Sequence, residues 1–338
     1  MNIAYFSGEK WEEAYINERL SGHQLSIFEG AIQNYPDLRD EHTEILSVFV
    51  KSHVGGEEMD KFPNLKFIAT RSTGYDHIDL AEAKRRNVTV SNVPTYGENT
   101  VAEFAFALLL AISRKVYISY ERIVKTGRFS QHDLRGFDLS GKTIGVVGSG
   151  HIGRHSIRIA KGFGMNVVVF DPNKDLEFAK EVGFEYVEFD QLLASSDVIT
   201  LHVPYNEHTH HMLNKDNVGK IKRGAYLINT SRGPLVETDA LMYALKEGIL
   251  AGAGLDVLEE EGESIKDHTE LLYEAHPNPD ALKLYLQNNY LIEHPGVIVA
   301  PHNAFNTQEA LERILNTTIE NVKAFSDGAP INTVAPKS

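Results

Sequence analysis

Short apolar segments alternate with polar, helix-compatible ones along the whole chain, and this pattern predicts an α/β fold. In the first hundred residues, four segments rich in β-branched and aromatic side chains predict strands, at residues 3–6, 45–50, 67–70 and 88–91. Polar stretches such as 10–20 and 80–86 lie between them and predict helices. Alternation of this kind is typical of a parallel sheet covered by helices.

The second half of the chain repeats the pattern and predicts another doubly wound sheet over residues 142–301. Its predicted strands are 143–147, 167–170, 197–201, 225–229, 251–255 and 297–300, with helices at 176–182 and 239–247. Before it, residues 98–126 predict one long helix whose apolar face needs a neighbouring domain or a second subunit to cover it. The long polar interruption at 262–293 is expected to carry a helix, and 307–325 predicts a final amphipathic helix.

Composition restricts the possible classes of protein. The chain has 338 residues, enough for two domains with full cores. A formal net charge of -14 argues against binding to nucleic acid or to an anionic membrane. The absence of cysteine excludes disulfides and thiolate chemistry. The longest apolar run, residues 104–112, is too short to span a bilayer, and no signal-peptide pattern is present. A cytoplasmic protein is predicted.

A glycine-rich motif follows the strand predicted at 143–147. Gly148, Gly150 and Gly153 have the G-x-G-x-x-G spacing, a helical pattern follows, and Asp171 ends the next strand. Such glycines allow a tight turn, close approach of a pyrophosphate and packing of helix on strand, while the acid binds ribose hydroxyls. The motif therefore predicts a dinucleotide site. Because Asp171 would repel a 2′-phosphate and no arginine stands beside it in sequence, NAD is favoured over NADP, with Lys174 the one neighbouring cation.

Polar residues follow the other predicted strands of this sheet, where ligands bind in open α/β folds. Arg232 follows strand 225–229, His302 follows 297–300, and Asp256 follows 251–255, shortly before the run Glu259, Glu260 and Glu261. An arginine that binds a carboxylate, a histidine that exchanges a proton and a carboxylate that tunes the histidine match hydride transfer to a keto acid.

Each of these residues also has a simpler interpretation. Arg232 could form a surface ion pair, His302 could be structural and Asp256 could cap a turn. The acidic run could be a solvated patch, and spacing does not tell which glutamate points inward. The cluster His208, His210 and His211 suggests a metal, but it has no obvious carboxylate or cysteine partner, so a loop beside the cofactor is favoured and no metal is predicted.

Motifs distributed over nearly the whole chain resemble the D-2-hydroxy-acid dehydrogenase family. The resemblance rests on residues 71–79, 92–96, 101–103, 147–153, 201–204, 229–236, 254–257 and 301–305. It implies that Arg232 binds the substrate carboxylate and carbonyl, that His302 is the acid/base, and that Glu261 is its partner. It further implies substrate contacts from Thr73, Gly74, Tyr96 and Phe305. Cofactor contacts carry over to the three glycines and to His151, Ile152, Asp171, Val203, Pro204, Thr209, Thr230, Ser231 and Asp256.

The resemblance also implies an architecture. Two Rossmann-like or flavodoxin-like domains with doubly wound parallel sheets are expected, with a cleft between them: a substrate-binding domain of residues 1–98 and 303–338, and an NAD-binding domain of residues 99–302. A homodimer built through the helix after Glu98 is implied as well.

Within the family, the chain most resembles the D-lactate dehydrogenase branch, because Tyr96 and Phe305 match that branch's pocket. The expected reaction is reduction of a small 2-keto acid, pyruvate foremost, to the D-2-hydroxy acid. The alternatives are branched or aromatic 2-keto acids, or an NAD-sensing protein related to transcriptional corepressors. Sensing needs no acid/base, so the combination of Arg232, Glu261 and His302 disfavours it.

Overall fold

The computed structural model describes residues 1–6, 10–259 and 279–336, and the chain divides into two compact units. The first comprises Met1–Tyr96 and Thr307–Ser338, and the second comprises Gly97–Asn306. The sequence-based division placed the boundaries at residues 98 and 303. The assignment of substrate binding to the first unit stays a prediction.

The first unit is built on a 6-stranded sheet in the order β13-β5-β4-β3-β1-β2. All neighbouring strands are parallel except β13, which runs antiparallel to β5. The strands are β1 Asn2–Phe6, β2 Gln24–Phe28, β3 Ile45–Val48, β4 Phe67–Thr70, β5 Thr89–Ser91 and β13 Thr333–Val334. The helices are α1 Lys10–Arg19, α2 Gly56–Asp60, α3 Leu80–Arg85 and, from the C-terminal segment, α11 Gln308–Ser326.

The central strands of this sheet are apolar throughout because both of their faces are covered. All residues of β3 and β4 are buried, as parallel strands between two helical layers require. One core lies on each face, and the second of them includes Leu315, Ile319 and Val322 from α11. The C-terminal helix is therefore part of the first unit.

The second unit carries a 7-stranded parallel sheet in the order β12-β11-β10-β9-β6-β7-β8. The strands are β6 Thr143–Val147, β7 Asn166–Phe170, β8 Glu185–Tyr186, β9 Val198–Leu201, β10 Ala225–Asn229, β11 Leu250–Leu255 and β12 Val297–Val299. The strand order reverses between β6 and β9, so the crevice where such sheets bind ligands lies at the carboxyl ends of these two strands.

Helices cover both faces of this second sheet. They are α4 Glu98–Ser113, α5 Val116–Thr126, α6 His151–Gly162, α7 Leu176–Val182, α8 Phe189–Ser195, α9 Thr238–Lys246 and α10 Pro279–Glu293. One core packs α8 and α9 on the sheet and the other packs α4 and α6. The predicted fold class, two doubly wound parallel α/β units, is confirmed. The helix expected within 262–293 is confirmed by α10, while residues 262–278 lie outside the described part.

The single long helix predicted over residues 98–126 is wrong. It is interrupted after Ser113, and Lys115 adopts a left-handed backbone conformation with φ 51° before α5 begins. The carbonyl of Ser113 accepts a hydrogen bond from Phe137 N at 3.0 Å, so a distant segment takes the acceptor at which the helix stops. No glycine or proline marks the break. Among the described helices, none is long and apolar enough to cross a membrane, and a cytoplasmic location stays a prediction.

Candidate active site

The three motif glycines are required for three different reasons. Gly148 has φ +96°, and a Cβ there would lie 2.5 Å from the carbonyl oxygen of His202. A Cβ on Gly153 would lie 2.0 Å from the carbonyl oxygen of Gly148, so this glycine lets α6 approach the loop. A Cβ on Gly150 would have no atom within 4 Å apart from its own and the adjoining backbone. Its missing side chain leaves open space at the start of α6, where backbone N–H groups can receive a pyrophosphate.

Asp171 follows β7 and is fixed by its neighbours. One carboxylate oxygen accepts hydrogen bonds from Ser149 N at 2.7 Å and Ser149 Oγ at 3.0 Å, and the other accepts from Asn173 N at 2.8 Å. The Tyr186 hydroxyl lies 3.0 Å from Ser149 Oγ. The carboxylate is thus held beside the glycine loop, as binding of an adenosine ribose requires. Ser149 and Tyr186 were not predicted, because their role depends on contacts across 22 and 37 residues.

The other predicted cofactor residues in this unit lie at the same edge of the sheet. His151 and Ile152 begin α6, while Val203 and Pro204 follow β9. Thr209 closes a turn by donating to Pro204 O at 2.7 Å, and Ser231 Oγ donates to Leu201 O at 2.7 Å. Thr230 Oγ1 is buried without a partner among the described residues. These residues fit the phosphate and nicotinamide portions of NAD, and their individual contacts remain predictions.

Arg232 lies in a turn after β10 that is held by a buried side chain. Asn229 Oδ1 accepts from Ser231 N at 3.1 Å, and Asn229 Nδ2 donates to Arg232 O at 2.9 Å. Next along the chain, a Cβ on Gly233 would lie 1.9 Å from Leu258 O. The half-buried Arg232 therefore projects from a backbone fixed on both sides. Asn229 is a positioning residue that the strand-end rule did not single out.

His302 is held by Asp256, the residue that follows β11. His302 has φ 53°, a strained value for a non-glycine residue, and its N–H donates to Asp256 O at 2.9 Å. The buried Asp256 carboxylate accepts from Asn303 N at 2.7 Å and Ala304 N at 2.8 Å. Phe305 places its ring 6.5 Å from the His302 ring, nearly perpendicular to it. Asp256 thus fixes the turn that presents His302.

Glu259 is engaged with residues other than His302 in the described contacts. Its Oε1 lies 2.6 Å from His211 Nε2, and its Oε2 accepts from Thr238 N at 2.9 Å and from the Thr238 hydroxyl. His211 N also donates to Pro234 O at 2.8 Å. The glutamate links the loop at residue 211, the start of α9 and the segment that follows β11. Glu260 and the predicted partner Glu261 lie outside the described residues.

His202 is buried beneath the glycine loop. Its Nε2 lies 3.0 Å from Thr200 Oγ1, and its Nδ1 has no partner in the described part of the chain. Burial lowers the pKa of His202 to about 4. The imidazole is therefore neutral at pH 7 and unsuited to holding a proton for the reaction.

The histidine cluster His208, His210 and His211 does not come together as a ligand set. His211 bonds to Glu259, and its ring stacks on that of His210 with centroids 3.9 Å apart. No group of three or more potential metal ligands occurs among the residues that the structure describes.

In the first unit, the predicted substrate loop follows β4. Asn92 Nδ2 donates to Thr73 O at 2.8 Å, and Thr73 Oγ1 donates to Val93 O at 2.8 Å. The hydroxyl of Ser72 donates to Gly74 O at 2.6 Å. Because the carbonyls are held in this way, the loop has a fixed shape, as a carboxylate site built from backbone N–H groups needs. Tyr96 is half-buried at the end of this segment, and its role stays a prediction.

Comparison with known proteins identifies the family to which the chain belongs. Residues 106–304 match the family model of the D-isomer specific 2-hydroxyacid dehydrogenase, NAD binding domain. A 2-hydroxyacid dehydrogenase homolog of Zymomonas mobilis is 35% identical over 97% of this chain and 98% of its own length. A glyoxylate reductase of Korarchaeum cryptofilum is 39% identical over 81% of this chain and 77% of its own length.

A solved structure supports the same family. The crystal structure of D-lactate dehydrogenase from Aquifex aeolicus, complexed with NAD and lactic acid, has a TM-score of 0.86 and 35% sequence identity and covers 100% of both chains. The predicted family resemblance and the predicted cofactor are confirmed. The chain belongs to the family of NAD-binding D-isomer specific 2-hydroxyacid dehydrogenases.

Proposed function

We propose that this protein reduces pyruvate to D-lactate with NADH and catalyses the reverse reaction. The observation that carries the proposal is the position of Arg232 and His302. They follow β10 and β12, at the edge of the sheet that carries the glycine loop, and each lies in a turn fixed by a buried side chain. The full-length similarity to a D-lactate dehydrogenase supports pyruvate as the substrate.

In this mechanism Arg232 binds the 2-keto acid. Its planar guanidinium can donate two parallel hydrogen bonds to a carboxylate and also polarise the adjacent carbonyl oxygen. The backbone N–H groups near Thr73 and Gly74 are proposed to share the carboxylate. Since Asn229 fixes the backbone on either side of Arg232, the turn that carries the guanidinium does not have to be ordered on binding.

His302 is proposed to exchange the proton. When the keto acid is reduced, its imidazolium donates a proton to the carbonyl oxygen, and when the hydroxy acid is oxidised, its neutral imidazole accepts one. NAD held by the glycine loop and Asp171 would supply or receive the hydride through its nicotinamide. Glu261 is proposed to favour the imidazolium, because an adjacent carboxylate stabilises the charged form.

A steady-state assay tests the substrate. Purified protein with NADH is given pyruvate, glyoxylate, 2-ketoisocaproate and phenylpyruvate, and the loss of nicotinamide absorbance is followed. We expect the highest kcat/KM with pyruvate and, in reverse, oxidation of D-lactate and not of L-lactate. A preference for glyoxylate, phenylpyruvate or 2-ketoisocaproate would contradict the proposed substrate and leave the family assignment intact.

Glyoxylate is the second candidate substrate, because a relative of similar identity is a glyoxylate reductase. The two substrates differ by one methyl group, which is worth only about 1–3 kcal/mol in an apolar pocket. Discrimination between glyoxylate and pyruvate is therefore expected to be modest.

The proposed contacts of Tyr96 and Phe305 with the substrate side chain are tested separately with Tyr96→Ala. This variant has a larger pocket and should improve kcat/KM for branched 2-keto acids relative to pyruvate.

Matched variants test the two catalytic roles. Arg232→Lys should raise the KM for pyruvate and lower kcat without changing NADH affinity. The control Arg223→Lys, which lies before the amino end of β10, should change neither KM nor kcat. His302→Asn should abolish both directions, whereas His294→Asn, before the amino end of β12, should not. Full turnover by Arg232→Lys or His302→Asn would remove that residue from the mechanism. An NAD-sensing protein would bind NADH and turn over none of the acids.

We also infer a homodimer that uses α5. Val116, Tyr117, Tyr120, Ile123 and Val124 lie on this amphipathic helix with exposed fractions from 49% to 65%. Apolar faces of this kind usually mark an interface. Light scattering should give the mass of two chains, and Tyr120→Glu with Ile123→Glu should give one. A monomeric wild-type protein would overturn this assignment.

A further inference from the structure

Arg154, in the first turns of α6, is bound to an acidic residue near the predicted ribose site. Its Nη2 lies 2.6 Å from Asp175 Oδ2. The guanidinium also stacks over the Phe178 ring, 4.5 Å from its centroid. The ion pair with Asp175 and the contact with the Phe178 ring thus hold the Arg154 side chain in place. Asp175 is only four positions after Asp171, although Arg154 is 21 residues away in sequence.

A continuous set of hydrogen bonds joins this ion pair to Asp171. The N–H of Asp175 donates to the Tyr186 hydroxyl at 3.1 Å, and that hydroxyl lies 3.0 Å from Ser149 Oγ. Ser149 Oγ donates to Asp171 at 3.0 Å, so the Tyr186 O–H must be the donor to Ser149. The Arg154 N–H makes the ordinary helical hydrogen bond to Gly150 O at 2.9 Å, so the arginine lies one turn after the glycine loop.

The ion pair has a consequence for the choice of cofactor. NADP differs from NAD by a phosphate on the adenosine ribose, and a guanidinium is the side chain best suited to bind it. An arginine beside the ribose site would therefore attract NADP, unless another acid holds it. The neighbouring cation Lys174 also lies near an acid, with Nζ 3.5 Å from Glu188 Oε1.

We propose that Asp175 is a specificity-determining residue for the cofactor: by holding Arg154 against Phe178, it withholds from a 2′-phosphate the guanidinium that would otherwise bind it. Asp171 repels the phosphate, and Asp175 removes the compensating cation. The inference concerns cofactor binding and does not depend on the keto acid that the protein reduces.

A purely structural role for Asp175 must be separated from this one. Asp175 Oδ1 also accepts from Phe178 N at 3.0 Å and caps α7. The substitution Asp175→Asn removes the charge and keeps a side chain that caps helices equally well. Asp175→Ser retains a capping hydroxyl and serves as a second variant if the first does not fold.

The experiment measures NADPH and NADH dissociation constants by nicotinamide fluorescence, without any keto acid. Asp175→Asn should tighten NADPH binding by on the order of tenfold, the value of one charge-assisted hydrogen bond, and leave NADH within about twofold. The matched control is Asp190→Asn, which removes another exposed acid from a salt bridge, with Lys220. It should change neither constant.

The double variant Asp175→Asn, Arg154→Gln decides the cause. If Asp175 acts by withholding Arg154, the gain in NADPH affinity disappears in the double variant, and Arg154→Gln alone makes NADPH binding no tighter than in the wild type. A gain that persists without Arg154 would mean that the lost negative charge alone is responsible, which overturns the proposal. An unchanged ratio of the two constants in Asp175→Asn would overturn it as well.

Discussion

The main-chain carbonyl of Asp256 accepts a hydrogen bond from His302 N at 2.9 Å, although the two residues follow different strands. The Asp256 carboxylate binds the next two N–H groups, those of Asn303 and Ala304, at 2.7 and 2.8 Å. The proposed acid/base therefore owes its position, and its strained φ of 53°, to a buried carboxylate. A residue assigned by family resemblance to cofactor binding also has a positioning role.

This relationship predicts the effect of Asp256→Asn. An amide offers one oxygen acceptor, and its NH2 group would face one of the two N–H donors, which is then left unsatisfied at a cost of about 1–3 kcal/mol of stability. Displacement of His302 should lower kcat for pyruvate by roughly 100-fold. Equilibrium NADH binding is the control. A loss of NADH affinity as large as the loss of kcat would favour the cofactor role over the positioning role.

The His211–Glu259–Thr238 contacts predict a stability effect that extends to Arg232. Thr238→Val keeps the shape of the side chain and removes the hydroxyl that donates to Glu259. We expect a loss of about 1–2 kcal/mol of unfolding free energy and a higher KM for pyruvate, because Gly233 beside Arg232 packs against the Leu258–Glu259 backbone. Thr238→Ser is the control and should restore both quantities. Identical behaviour of the valine and serine variants would contradict the role of the hydroxyl.

The glycine loop predicts different outcomes for two alanine variants. Gly150→Ala meets no atom within 4 Å, so the free protein should keep its thermal stability while NADH affinity falls, because the new methyl group occupies the space for the pyrophosphate. Gly153→Ala would place Cβ 2.0 Å from Gly148 O and should lower the melting temperature before any cofactor is added. The idea is testable by thermal denaturation with and without NADH, and equal melting temperatures for the two free variants would refute it.

The burial of His202 predicts a pH-dependent stability. Its pKa is about 4 in the folded protein because burial disfavours the imidazolium, against about 6.5 when unfolded. Between pH 4 and pH 6.5 the unfolded state binds more protons at His202 than the folded state does. The contribution of the neutral His202 to the free energy of unfolding is therefore complete above pH 6.5 and is lost as the pH falls toward 4. From pH 7 to pH 5 the loss is about 2 kcal/mol. Urea unfolding of wild type and His202→Gln at both pH values isolates it, and equal pH dependence would argue against it.

Local sequence determined much of the fold. The predicted strand at 143–147 and the predicted helix at 176–182 were placed to the residue, because the strands are continuous apolar runs and the helices have clear caps and polar faces. The strand β2, Gln24–Phe28, was missed because it is a partly exposed edge strand with polar residues at two positions. The break at Lys115 was missed because no local signal accompanies it, and the contact at this place, from Phe137 N to Ser113 O, comes from a distant segment.

The sequence by itself also identified the chemistry: a glycine loop, an acid for the ribose, and an arginine and a histidine after strands of one sheet. Those assignments depend on strand order along the chain, which periodicity and motif spacing encode. Only the tertiary structure decided which side chains hold them. Asn229 fixes the turn of Arg232, Asp256 fixes that of His302, and Asp175 holds Arg154. The contacts of Asn229 span two and three positions, whereas those of Asp256 and Asp175 join residues 47, 48 and 21 positions apart. Hydrogen bonds act over about 3 Å, so these distant contacts exist only once the sheet has brought its strand ends together.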